Sequence, residues 1–249
     1  MCKAPLVTLA FWIIKISATT LGETGGDALS MSENLGYAVS TGIFFALFVV
    51  LLAAQVGSRR FVPWLYWAVI VATTTCGTTM SDFLTRSAGL GYLWTSILLF
   101  TMLMMVLLAW RLVIGSVSVN RIATPRVELF YWTAILFSNT LGTALGDAVA
   151  DSGLGYEGGA AVFAAALAVI AAAYFWTRAS HTLLFWSAFI LTRPLGATLG
   201  DLLTKPHENG GLALSRIDSS LIIAAFIIGC ILFTSQRPER PAEQQGSAD

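Results

Sequence analysis

Charge is what this sequence has least of. Of its 249 residues, 14 are basic and 14 acidic, 11% together, less than half the share of an ordinary soluble domain. So small a stock of charge does not cover a globular surface, and most of the chain is expected to meet lipid. The formal net charge is zero, which leaves no basic face for nucleic acid. Cysteine is almost as scarce. Cys2, Cys76 and Cys230 have neither metal-ligand nor redox spacing and make no disulfide framework. Cys2 is not expected to be a lipoprotein cysteine. Residues 1–12 lack the basic stretch of a cleavable signal and run directly into a longer apolar helix.

What is present is apolar length. Hydrophobic residues make up 56% of the chain, and a helix needs about 20 mostly apolar residues to cross the roughly 30 Å of bilayer hydrocarbon. Eight candidate spans lie near 6–29, 37–56, 63–85, 92–114, 128–150, 158–177, 182–203 and 215–234. An even number puts both termini on one side. Lys3, Arg59, Arg60, Arg111, Arg121, Arg126, Arg178, Arg237 and Arg240 fall on that side, against Arg86, Lys205 and Arg216 on the other. The positive-inside rule then predicts a multi-pass protein of a bacterial inner membrane with both termini cytoplasmic. Residues 235–249 are polar and proline-containing and read as a disordered cytoplasmic tail.

The chain repeats itself. WIIKISATTLGETGGD at 12–27, WAVIVATTTCGTTMSD at 67–82, WTAILFSNTLGTALGD at 132–147 and WSAFILTRPLGATLGD at 186–201 align without a gap. Trp12, Trp67, Trp132 and Trp186 each stand ten residues before Gly22, Gly77, Gly142 and Gly196, and fifteen before Asp27, Asp82, Asp147 and Asp201. Three copies continue into a Gly-Tyr pair (36–37, 91–92, 155–156), and the fourth has Gly210-Gly211 instead. The repeats are bounded as 1–62, 63–126, 127–180 and 181–234, each with two spans. All start on the same side, so they are parallel repeats related by an axis along the membrane normal. The odd-numbered spans hold nearly all the ionisable residues. The predicted fold is therefore an all-α membrane protein of eight helices around a pseudo-fourfold axis, with the odd helices inside and the even ones against lipid.

Positions eight, eleven and fifteen after each Trp share one helical face. They are Thr20, Glu23 and Asp27; Thr75, Thr78 and Asp82; Thr140, Thr143 and Asp147; and, departing from the pattern, Pro194, Ala197 and Asp201. Fifteen residues at 1.5 Å put each Asp roughly 22 Å beyond its Trp, in the outer part of the membrane if the Trp side chains lie in the cytoplasmic aromatic belt. Gly22/Gly26, Gly142/Gly146 and Gly196/Gly200 are GxxxG pairs, with Gly77/Ser81 equivalent, and bring backbones close. Four Asp and Glu23 then converge against only Lys15 and Arg193 within the spans. Bound cations, protons or water would relieve that imbalance. Carboxylate and hydroxyl oxygens suit a hard divalent cation, with manganese the preferred guess. Pro194 frees the Ile190 carbonyl as a further ligand.

Each feature also has a plainer reading. The Asp residues can be helix-end groups before Gly-rich turns, and Glu23 can pair with Arg193. Lys15 is expected to snorkel to the interface, the Trp residues to be interfacial anchors, and the Thr hydroxyls can bond back to their own helices. His207 and Glu208 share an outer loop with Lys205, and His181 reads as surface.

The fourfold W-x9-G-x4-D pattern resembles a family of uncharacterised bacterial membrane-anchored proteins with four tandem repeats of unknown function, each with two spans and a characteristic Trp. The resemblance covers residues 8–235 and implies the span count and the role of Trp12, Trp67, Trp132 and Trp186 as repeat markers. From the residues themselves, the leading expectation is a transporter or channel for a small cation. Asp27, Asp82, Asp147 and Asp201 would form its outer ring, with Glu23 and the Thr residues below. Alternatives are a membrane enzyme or carrier for a small organic molecule, against which stands the lack of a nucleophile–base pair, and a non-catalytic assembly subunit. Four units can close an axis within one chain, which is compatible with a monomer.

Overall fold

The computed structural model describes residues 3–33, 35–117 and 124–238. Cys2, Arg121, Arg240 and the tail beyond residue 238 lie outside the described residues. Everything regular in it is helical: α1 (Leu9–Asp27), α2 (Gly36–Gly57), α3 (Pro63–Asp82), α4 (Gly91–Ile114), α5 (Pro125–Val149), α6 (Gly155–Trp176), α7 (His181–Thr204) and α8 (Arg216–Phe233). Local sequence accounts for the starts. Thr8, Thr124, Ser180 and Ser215 cap α1, α5, α7 and α8 by accepting from the backbone N–H three residues on, and Pro63 and Pro125 occupy first-turn positions where no N–H is needed.

Past the Asp, α1, α3 and α5 do not stop but widen into π-helical turns at Ala28–Ser32, Phe83–Ser87 and Ala150–Leu154. The chain then reverses through Gly36, Gly91 and Gly155, whose φ angles of +75°, +69° and +65° are open to glycine and costly for other residues. That is the physical content of the Gly-Tyr pair. After α5 the π turn leads directly into α6, and the chain doubles back at Gly153, whose φ of +98° is not helical. With α5 and α6 counted as one run across that kink, the long helical runs of the described residues number seven: 9–32, 36–57, 63–87, 91–114, 125–176, 181–204 and 216–233.

Five of these runs are long and apolar enough to cross a membrane: Gly36–Gly57, Gly91–Ile114, Pro125–Trp176, His181–Thr204 and Arg216–Phe233. α1 and α3 fall short because Thr, Ser and Gly crowd their second halves. Those residues are not surface. Nearly all of the second half of α1 and α3 is buried, while α2, α4, α6 and α8 bury few residues and expose Val50, Leu112, Phe175 and Phe233 among many large apolar side chains. Exposed apolar surface on this scale needs an apolar partner or solvent.

The packing order explains the burial. α1 packs on α3, α3 on α5, α5 on α7, and α7 back on α1, closing an inner ring. Each outer helix lies chiefly against the inner helix of the following repeat: α2 on α3, α4 on α5, α6 on α7 and α8 on α1. The glycine ten residues after each Trp sets the spacing. A Cβ on Gly77 would lie 3.0 Å from the Thr140 nitrogen and 3.1 Å from the Asn139 carbonyl carbon; on Gly142 it would lie 2.6 Å from Arg193 Cβ. Gly22 faces Thr74 and Gly196 faces Thr19 in the same way. Every repeat thus presents its glycine to the residue seven after the Trp in the next repeat, around to the first. The hydroxyls of Thr74 and Thr19 use this approach to donate to the carbonyls of Ala18 and Thr192 across the interfaces, at 3.1 and 3.2 Å.

The stretch read as a disordered tail from residue 235 is paired at its start. Leu6 N donates to the Arg237 carbonyl at 2.8 Å, and Pro5 and Pro238 form an antiparallel bridge.

Gly77→Val is expected to lower stability by about 1–3 kcal/mol or more, because overpacking against backbone has no rotamer escape. Gly229→Val on α8, where a Cβ meets nothing within 4 Å, is expected to stay within about 0.5 kcal/mol. Thermal unfolding of the two purified variants in detergent compares them.

Candidate functional site

The inner ring brings Asp27, Asp82, Asp147 and Asp201 together at one end, all buried, in two clamps. Lys205 Nζ lies 2.7 Å from Asp27 Oδ2 and 3.1 Å from Asp201 Oδ1. Arg86 Nε lies 3.0 Å from Asp82 Oδ1, and its Nη2 lies 3.3 Å from Asp147 Oδ2. Each base stands four residues beyond its own Asp and so one turn above it, and reaches the Asp of the next repeat. Only the second and fourth repeats carry it; the first and third have Met31 and Asp151 there. The fourfold sequence pattern has become twofold chemistry. Arg216 Nε adds a longer contact of 3.9 Å to Asp27. Burial works against the Lys205 charge, but Asp201 and Asp27 outweigh it, and the ammonium stays protonated well above the ordinary lysine range.

One turn inward, Arg193 fills the axis. Its Nη2 donates to Glu23 Oε2 at 2.9 Å, to Thr78 Oγ1 at 2.5 Å and to Thr143 Oγ1 at 2.6 Å. Thr78 in turn donates to Glu23 Oε2 at 3.2 Å. Position eleven of the first three repeats and position seven of the fourth therefore meet in one network. Of the two readings of Glu23, the ion pair with Arg193 is realised. Carboxylate oxygens of Glu23, Asp27 and Asp201 lie within 4.8 Å of one another.

Further in, Lys15 is wholly buried. Its Nζ donates to Asn139 Oδ1 at 3.3 Å and sits 4.1 Å from the centre of the Phe189 ring, and Asn139 Nδ2 donates to Thr73 Oγ1 at 3.0 Å. The expected snorkelling does not occur, because Lys15 points across the ring instead of along the helix.

Other sequence expectations also shift. Thr20, Thr75 and Thr140 donate to their own helices at the carbonyls of Ile16, Val71 and Leu136. That leaves positions three, seven, eleven and fifteen as the interacting stripe. Pro194 is a packing residue: its Cδ would lie 2.9 Å from a Cβ on Gly142, and its carbonyl accepts from Thr198 at 3.0 Å. His207 bonds the Gly211 carbonyl at 2.8 Å in an exposed loop, away from the acids, and exposed His181 stacks edge-on against Tyr174.

Three of the four repeat Trp residues, Trp67, Trp132 and Trp186, are buried in the bundle, and Trp12 is half-buried. The aromatic residue before each Trp packs on the Trp of the next repeat. Phe11 meets Trp67 at 5.5 Å between ring centres, Tyr66 meets Trp132 at 5.3 Å, Tyr131 meets Trp186 at 6.2 Å and Phe185 meets Trp12 at 5.8 Å. These eight side chains close an aromatic collar at the far end of the ring, with Tyr66 and Tyr131 joined hydroxyl to hydroxyl at 2.6 Å. One turn before Trp132, Glu128 pairs with Lys3 at 2.8 Å. The signals for these groups were in the sequence: an aromatic before every Trp, and a base four residues after two of the four Asp.

Each of Glu23, Asp27, Asp82, Asp147 and Asp201 is thus met by a base: Arg193 at Glu23, Arg86 at Asp82 and Asp147, and Lys205 at Asp27 and Asp201, with Arg216 farther from Asp27. Arg86, Lys205 and Arg216, at the ends of their helices, fold inward over the acids. Removing one partner of a buried pair strands the other charge. Arg193→Met is expected to cost about 3–5 kcal/mol, and Glu23→Gln added to it to recover much of the loss. Parallel melts of the single and double variants measure both.

No curated protein and no solved structure matches the chain. A family model does match, four times over, at residues 10–61, 65–114, 130–180 and 184–237. The matches take in each Trp–Gly–Asp helix and the outer helix that follows it, nearly the whole chain, and place this protein in the family described as Repeat of Unknown Function (DUF347).

Proposed function

We propose that this chain is an integral membrane transporter or channel for a cation, most plausibly a divalent metal ion such as manganese, moving along the axis of the inner ring. In this reading all eight helices cross a bacterial inner membrane as parallel two-helix repeats about a pseudo-fourfold axis, with α2, α4, α6 and α8 against lipid and both termini cytoplasmic. The apolar exposure of the outer helices supports it, as does the charge pattern, with Lys3, Arg59, Arg60, Arg111, Arg126, Arg178 and Arg237 toward the side of the termini.

The observation that carries the cation reading is the meeting of Glu23, Asp27 and Asp201, with oxygens within 4.8 Å of one another and the side chains buried. Oxygens so spaced fit one hard cation at about 2.1–2.6 Å from each, and Thr78 supplies a neutral oxygen beside Glu23. Lys205 already holds a positive charge between Asp27 and Asp201. An entering ion therefore competes with a tethered one. Displacing the ammonium toward the outer face would admit the ion, and its return would expel it. The full pairing of the acids favours a second reading, in which the network only holds a membrane subunit together for assembly with a partner.

Titration of purified protein with Mn²⁺, Mg²⁺, Ca²⁺ and Zn²⁺ separates the two. Saturable binding is expected, lost in Asp27→Asn and tightened about tenfold or more in Lys205→Met, which removes the competitor. Binding of no ion by either wild type or Lys205→Met would leave the assembly reading.

A further inference from the structure

The end of the ring that carries both termini is closed twice. The first closure is the aromatic collar. The second lies below it, where the chain before α1 turns in under the ring instead of leaving it. Lys3 and Ala4 are buried, although they belong to an arm without regular structure. Lys3 Nζ reaches Glu128 Oε1 at 2.8 Å and the Val56 carbonyl at 3.1 Å. The arm is fastened on its other side by the segment after α8, through Leu6 N to the Arg237 carbonyl and through the Pro5–Pro238 bridge. That segment also touches the collar: Trp67 Nε1 donates to Gln236 Oε1 at 3.1 Å.

Glu128 explains why the arm stays. Its side chain is fully buried, and apart from the Lys3 ammonium neither carboxylate oxygen has a hydrogen-bond partner among the described residues. A buried carboxylate cannot remain dry without a counter-charge. While Lys3 is in place the site stays closed. When Lys3 leaves, Glu128 is left to take up water or a proton, and either reaches it one turn below Trp132, at the foot of the collar. Apolar constrictions of this kind pass ions only when wetted.

We propose that residues 3–5, strapped by residues 235–238, form a plug that keeps the aromatic collar shut, and that withdrawal of Lys3 from Glu128 opens the ring's axis at this end. The inference rests on reading the axis as a transport path, but its test does not depend on which ion, if any, is carried.

The probe is a cysteine at Ile135, one turn beyond Tyr131 on α5, buried and at the same repeat position as Lys15. It is placed in the full chain with Cys2, Cys76 and Cys230 replaced by Ala. A membrane-impermeant thiol reagent is added to vesicles on the side that carries the termini. With the native arm, labelling is expected to be slow. Lys3→Met should speed it by about tenfold or more, the factor that a 1.4 kcal/mol loss of closing free energy produces. The charge swap Lys3→Glu with Glu128→Lys should restore protection. Labelling unchanged in Lys3→Met would overturn the plug. Fast labelling persisting in the swapped pair would also overturn it, since that would mark general loosening rather than loss of one ion pair. Absence of metal binding in the titration above would sink the cation reading and leave this result readable.

Discussion

The whole assembly hangs on four places where a helix backbone comes so near its neighbour that a single added carbon has no room. Gly22, Gly77, Gly142 and Gly196 each meet the residue seven places after the Trp of the next repeat. Were the outer helices to face lipid, as proposed, apolar surfaces would gain little by meeting one another, and close van der Waals contact with short polar bonds would hold the helices together. The glycines provide the first, and they let the Thr74 and Thr19 hydroxyls provide the second. Because the last glycine meets the first repeat, the contact closes into a ring, and everything on the axis-facing stripe is then forced together.

What is forced together is charge, and the ring tolerates it by pairing. Five acids line the axis and its mouth, and Arg193, Arg86, Lys205 and Arg216 pair with them. The pairing breaks the fourfold symmetry of the repeats in an orderly way. Repeats two and four supply the clamping bases, repeat four alone supplies Arg193, and repeat one alone supplies Glu23 and Lys15. Divergence among copies is what allows a symmetric scaffold to hold paired charges at its axis, since four identical acidic copies would repel there.

Along its length the ring has two unlike ends. One is polar, with mobile-length basic side chains over paired carboxylates. The other is sealed by eight aromatic rings and by the two terminal arms. Between these ends lie the buried groups Glu23, Arg193 and Lys15.

The sequence by itself determined the repeat, the inner and outer roles of the helices, and the acids that meet. Those follow from periodicity and composition, which are local and survive in each copy. The Glu23–Arg193 pair was also legible, as one of two readings. What only the tertiary structure decided was where the counter-charges lie. Arg86, Lys205 and Arg216 sit in segments that look like polar loops. Lys15 stands three residues after Trp12, near the start of its span, and the Trp residues carry the usual mark of an interface. Each was misplaced for the same physical reason. A long side chain's partner is set by which helix stands beside it and by the direction in which it leaves its own, and no spacing along a single helix contains that. The collar is the clearest instance: four aromatic pairs are written in the sequence, but they become one closed surface only once the fourth repeat is packed against the first.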